Sequence, residues 1–203
     1  MIERRNLLGF VGAAAAFGAL PARAQTLPPI EAMLAERSLG KADAPAVCLE
    51  YFSLTCPHCA AFSRDVLPRV KSELIEPGKV RLVLNDFPFD QPGLLGAMIA
   101  RALPAERHAA FIDILLRNQA QWVRASFVED LARLAALAGM SRATFDAAMA
   151  DAALQRGVLE IRLRGEREHQ VNATPTFIFN NRVPGVSGAI PFERFAREAG
   201  VSA

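Results

Sequence analysis

Apolar residues run almost unbroken from Ala46 to Ser53, through Val47, Cys48, Leu49, Tyr51 and Phe52. A short continuous run of this kind suits a strand buried on both faces. The exception inside it is Glu50. Beyond it the period changes: Phe62, Val66, Val70 and Leu74 recur at steps of four and form one apolar stripe. That predicts a helix opening at Cys56-Pro57, since proline fits the first helical position, where a missing N–H costs nothing. Pro68 should kink this helix and Glu76-Pro77-Gly78 should end it. Val80 to Asp86 reads as a second strand, closed by Phe87-Pro88-Phe89.

Residues 91–150 carry helical periodicity and no strand pattern. The spacing predicts helices over Gly93 to Leu103, Glu106 to Trp122, and Ser126 to Gly139, the last opened by a Ser126-Phe127-Val128-Glu129 capping box. Another is expected from Ser141 to Ala150. Leu154, Val158, Ile161 and Gly165 then mark the face of a long helix reaching about Gln170. Thr176 to Phe179 is a strand, Asn180-Asn181 a turn, Arg182-Val183-Pro184 a short return strand, and Pro191 to Ala199 the terminal helix. The order β-α-β, helical insert, α-β-β-α predicts an α/β fold. Its first crossover should be right-handed with parallel strands, and the late hairpin adds antiparallel strands. The division is an N-terminal arm over 25–45, a first half over 46–90, a helical insertion over 91–150 and a second half over 151–203.

The first 24 residues read as a segment apart from this fold. Glu3-Arg4-Arg5-Asn6 precedes an apolar run from Leu7 to Leu20, and Ala22-Arg23-Ala24 fits the small-x-small cleavage rule. We expect a signal peptide cut before Gln25; the run is too short for a membrane span of about 20 residues. Arg4-Arg5 before Leu7-Leu8 suits a twin-arginine signal, with a general secretory signal as the alternative. Loss of Arg4, Arg5, Arg23 and Glu3 takes Lys+Arg and Asp+Glu from 23 and 21 to 20 each. A mature chain without net charge does not suit a nucleic-acid partner. With 52% apolar residues and no other long apolar run, it should fold around a sizeable core and not span a membrane. Export to an oxidising compartment makes disulfide chemistry the first reading of a close cysteine pair.

Such a pair is Cys56-Pro57-His58-Cys59. Two thiols at this spacing on a helix start can join across one turn. The helix N-terminus offers free N–H groups and positive potential to Cys56, which favours its thiolate. Cys59, one turn inside, should be more buried and resolve the mixed disulfide. A protonated His58 would add a second positive charge, and a better leaving thiolate makes a more oxidising disulfide. The alternatives are an inert disulfide or half of a zinc site. Cys48, His108 and His169 give no second pair at ligand spacing, so neither metal nor cofactor is expected.

Leu49-Glu50-Tyr51-Phe52-Ser53, Cys56-Pro57-His58-Cys59 and, far downstream, Val171-Asn172-Ala173-Thr174-Pro175-Thr176 resemble the DsbA family of periplasmic dithiol oxidases. Gly40 and Ala44-Pro45 match a turn before the first strand in one branch of that family, and the resemblance covers about residues 38–199. It implies a thioredoxin-like fold, a central mixed sheet flanked by helices, with an inserted all-helical subdomain. It implies a cis-proline loop at Thr174-Pro175, packed against the sulfurs and pairing with an extended substrate chain. It also implies that Glu50 is a buried carboxylate with a raised pKa that shuttles the Cys59 proton; a salt-bridged strand glutamate is the plainer alternative. The implied partners are unfolded or partly folded exported proteins with free cysteines, and a quinone-linked membrane oxidase that renews the disulfide.

One feature departs from that pattern. Threonine before the proline is also similar to the isomerase and reductase branches, whereas many oxidases carry valine. An isomerase or reductase kept reduced by a membrane donor is therefore the alternative function, although residues 25–45 look short for the dimerisation segment of such proteins. A binder that handles copper(I) through Cys56, His58 and Cys59 is a third. Cys48 is expected as a buried free thiol, His108 and His169 on the surface, and Trp122 in the core of the insertion.

Overall fold

The computed structural model describes residues 26–202, so the expected signal segment and its cleavage point lie outside the described residues. The elements, in chain order, begin with α1 (Ile30–Leu34), β1 (Ser38–Leu39), β2 (Ala46–Phe52), α2 (Pro57–Asp65) and α3 (Leu67–Val70). A π-helical turn, Lys71–Ile75, leads to β3 (Val80–Asp86), α4 (Gln91–Ala102), α5 (Ala105–Arg117), α6 (Gln119–Trp122), α7 (Phe127–Leu137) and α8 (Arg142–Ala150). The chain ends with α9 (Ala152–His169), β4 (Thr176–Phe179), β5 (Val186–Ser187) and α10 (Phe192–Ala199).

The sheet order is β1-β3-β2-β4-β5. β2 and β3 run parallel, from Ala46 against Val80 to Phe52 against Asp86. β4 is antiparallel to β2, with Glu50 opposite Phe177, and β5 is antiparallel to β4. This is the mixed sheet with flanking helices that the element order implies. Period-two alternation gives β2 two different faces. Cys48, Glu50 and Phe52 face the main core, shared with Phe62, Phe177, Phe179 and Phe195. Tyr51 faces a smaller cluster with Phe87, Val171 and Ile178, against which Leu49 packs. There α9 comes so close that a Cβ on Gly165 would lie 2.5 Å from the Tyr51 ring.

Several local expectations change. The pivot of the second helix is Val66 rather than Pro68; the proline is the second residue of α3, where its lost N–H is harmless. The helix expected from Glu106 to Trp122 breaks at Asn118, with φ −110° and ψ 20°. Ser126 does not close a capping box: its hydroxyl donates to Asp130, and Glu129 pairs with Arg142. Ser141, by contrast, does cap α8 through the Thr144 N–H. The return strand is Val186–Ser187, not Arg182 to Pro184. β1 was not foreseen; its two residues pair with Leu82 and Val83.

His108 is buried, not on the surface, at 1% exposure, and neither ring nitrogen has a partner. Burial lowers its pKa to about 4. His169 is half-buried, with Nδ1 2.7 Å from the Tyr51 hydroxyl. Trp122 is fully buried in the insertion and donates to the Leu115 carbonyl.

Candidate active site

β2 and β3 are parallel, so the loops that leave them lie at one end of the sheet. Cys56 is the N-cap of α2 and Pro57 its first residue, both as the sequence implies. Pro57 and His58 are exposed, Cys56 is half-buried, and Cys59 is fully buried one turn inside. All three cysteines are free. Two thiols of one motif thus sit in unlike surroundings.

The Cys56 thiol is held far below its ordinary range, at about 5. The largest cause is a hydrogen bond from the Cys59 thiol; partial burial opposes it, and the Thr174 side chain and the backbone N–H groups of Cys59 and His58 add to it. Burial drives the Cys59 thiol strongly upward, followed by its bond to Cys56 and the charges of Cys56 and Glu50. The His58 contribution among these is its backbone N–H, while its imidazole points to solvent.

Thr174 reaches this centre across 118 residues of sequence: the Cys56 Sγ–H donates to its carbonyl at 3.2 Å. The Thr174-Pro175 bond is cis, as is Val183-Pro184. The Thr174 hydroxyl is buried without a conventional partner, which leaves it available to the Cys56 sulfur. The loop is held at both ends. Val171 N donates to the Gly165 carbonyl at 3.0 Å and Gly188 N to the Pro175 carbonyl at 2.8 Å. Thr176 Oγ1 bonds the Ala173 carbonyl within it.

Glu50 lies in the core at 4% exposure, and burial pushes its pKa up to about 8, partly offset by the Lys71 ammonium. A cavity of about 20 Å³, room for one water, is lined by Glu50, Ser63, Lys71 and Asp113 among apolar side chains. Ser63 donates to Asp113 at 2.8 Å. Cys48 is fully buried on the same strand face as Glu50, and burial raises its pKa too. Among the described residues, no group of three or more His, Cys, Asp or Glu side chains gathers as a metal site.

The structure thus brings Cys56, Cys59 and Thr174-Pro175 into one cluster, with His58 and Pro57 on its rim and Glu50 in the core behind it. Sequence reading missed the Ser63, Lys71 and Asp113 lining and Gln119, whose amide bonds the Leu54 and Cys56 carbonyls. The row Ser63, Leu67, Lys71, at steps of four, is a usable signal for the lining. Nothing local marks Gln119.

A family model described as thioredoxin matches residues 33–197. Among curated proteins, the chain is 36% identical over 100 residues to "Probable disulfide bond formation protein D" of Bacillus cereus, covering 47% of this chain and 46% of that one. It is 29% identical over 103 residues to disulfide bond formation protein D of Bacillus subtilis, again covering 47% and 46%. It spans under half the length of the curated relatives it matches. Among solved structures it is similar to Wolbachia pipientis alpha-DsbA1, with TM-score 0.75 and 25% identity over 81% of this chain and 89% of that one. The structure of a protein-disulfide isomerase from Novosphingobium aromaticivorans, at 23% identity and TM-score 0.70 over 80% and 97%, shares the fold. The family match covers most of the chain and the paired thiols stand at the start of α2, so this protein belongs to the thioredoxin family.

Proposed function

We propose that the protein is a thiol-disulfide oxidoreductase that introduces disulfides into exported proteins through Cys56 and Cys59. The observation that carries this is the asymmetry of the pair: an accessible Cys56 held at about 5 and a buried Cys59 held far above its ordinary range. In the oxidised protein a substrate thiolate attacks Cys56 Sγ. The Cys56–Cys59 bond breaks, and Cys59 leaves with the electron pair. A neutral Glu50 supplies the proton that Cys59 needs. A second substrate thiolate then attacks the substrate sulfur of the mixed disulfide and expels Cys56 as a stable thiolate. Two electrons pass from substrate to protein, and a quinone-linked membrane oxidase restores the disulfide. The Thr174-Pro175 loop receives the substrate backbone beside Cys56.

The site acts in the periplasm, after removal of residues 1–24. Among the described residues no helix is long and apolar enough to cross a membrane. Thr174 before Pro175 favours a second reading, an isomerase or reductase kept reduced in its compartment. Thiol trapping in the native compartment separates the two. A mostly oxidised pair supports the oxidase, and a mostly reduced pair supports the second reading. In vitro, the oxidised protein should restore activity to reduced, unfolded ribonuclease without another oxidant, one disulfide per protein; no transfer would refute both readings.

A further inference from the structure

The helical insertion contributes a side chain to the Cys56 loop. Gln119, the first residue of α6, donates through Nε2 to the Leu54 carbonyl at 2.8 Å and to the Cys56 carbonyl at 2.9 Å. Both acceptors are carbonyls, so only the amide nitrogen can serve there. The Cys56 carbonyl also accepts the first bond of α2, from Ala60 N, at a longer 3.2 Å. The same stretch is gripped from α4: a Cβ on Gly96 would lie 2.9 Å from the Leu54 side chain and 3.4 Å from the Trp122 ring. Leu54 is 1% exposed. Residues 54–56 are therefore fixed from outside the sheet, by side chain and backbone at once.

We infer that Gln119 is a positioning residue, through which the helical insertion holds the Cys56 sulfur over the first N–H groups of α2. The inference rests on the reading of Cys56 as the reacting sulfur. Cys56 is the N-cap, with φ −80° and ψ 120°, the extended geometry usual at that position, so the aim of its sulfur depends on how the loop before it is held. The bonds that favour its thiolate come from the Cys59 side chain, then the Thr174 side chain, and from the N–H groups of Cys59 and His58. Their strength falls steeply with misalignment. A loop released at two carbonyls drifts, and the sulfur moves off those donors. The insertion is thus part of the redox centre as well as a cover beside it.

The test uses the full reduced protein and reads Cys56 directly, by thiolate absorbance against pH and by alkylation rate with iodoacetamide. Gln119→Leu keeps the size and removes the donor. Its thiolate midpoint should rise by about half to one pH unit, and alkylation below the midpoint should slow about three- to tenfold, the same change expressed as a rate. Met140→Ala cuts a buried side chain of the insertion away from the loop. It should lower the melting temperature and leave the midpoint in place. A folded Gln119→Leu with an unchanged midpoint overturns the inference, and so does an equal shift in Met140→Ala. If Gln119→Leu fails to fold, the wild type decides: the Gln119 side-chain amide resonances should titrate at the Cys56 midpoint, and resonances flat across it overturn the inference. Failure of disulfide transfer would instead sink the proposed function, since these readouts need no substrate.

Discussion

Glu50→Gln should make the protein more stable at neutral pH and slower in exchange. The wild-type carboxyl is buried in the main core, and burial raises its pKa from 4.5 to about 8. The folded state therefore binds the proton more tightly than the unfolded state. Its contribution to stability is fully present below pH 4.5 and is lost progressively as pH rises to about 8. At pH 7, about 2.5 pH units above the unfolded value, the loss is about 3 kcal/mol, at about 1.4 kcal/mol per unit. Near pH 9 it reaches about 5 kcal/mol. Glutamine fills the same space and cannot ionise, so the variant escapes this cost. Urea melts of both proteins in the oxidised form, at pH 4, 7 and 9, measure the gap without interference from Cys56. It should be near zero at pH 4 and widen to the values above. A gap independent of pH, or a variant less stable than wild type at pH 7, would refute the reasoning. The functional counterpart is slower formation of the mixed disulfide, because the leaving Cys59 loses its proton donor.

The remaining predictions concern the sulfurs and their loop. Cys56→Ser should abolish exchange, whereas Cys59→Ser should accumulate mixed disulfides with substrates, visible on non-reducing gels; normal turnover by Cys59→Ser would reverse the assigned roles. The Cys56 thiol falls from 9.0 to about 5 on folding, so its contribution is complete above pH 9, shrinks as pH falls and is gone below about 5. The reduced form should therefore gain on the oxidised form by about 1–2 kcal/mol between pH 5 and 7, after discounting for a half-exposed sulfur; paired denaturant melts check it, and a gap that shrinks with rising pH contradicts it. Thr174→Val removes a donor from the Cys56 sulfur with little change of shape, so the thiolate midpoint should rise by about half to one unit; thiolate absorbance against pH reads it.

Where the governing forces act within a few residues, the sequence alone determined the structure. The apolar run, broken only by Glu50, made β2, the stripe at steps of four made α2 and α3, Pro57 marked the helix start, and Ser141 capped α8. Cys56 and Cys59 were legible for the same reason, since their chemistry depends on a spacing of one helical turn. Where several partners compete for one group, only the tertiary structure decided. Ser126 carried a capping signature, yet its hydroxyl went to Asp130. His108 looked like a surface residue among charges, but the packing of α5 against the core buried it without a partner. The short strands β1 and β5 follow from the sheet edges they join, not from their two-residue patterns. The depth of Glu50, the meeting of Thr174 with Cys56 and the grip of Gln119 on the Cys56 loop link residues 63 to 127 positions apart. Such contacts exist because sheet register and helix packing close those loops, and no periodicity along the chain encodes which side chain will arrive at the far end.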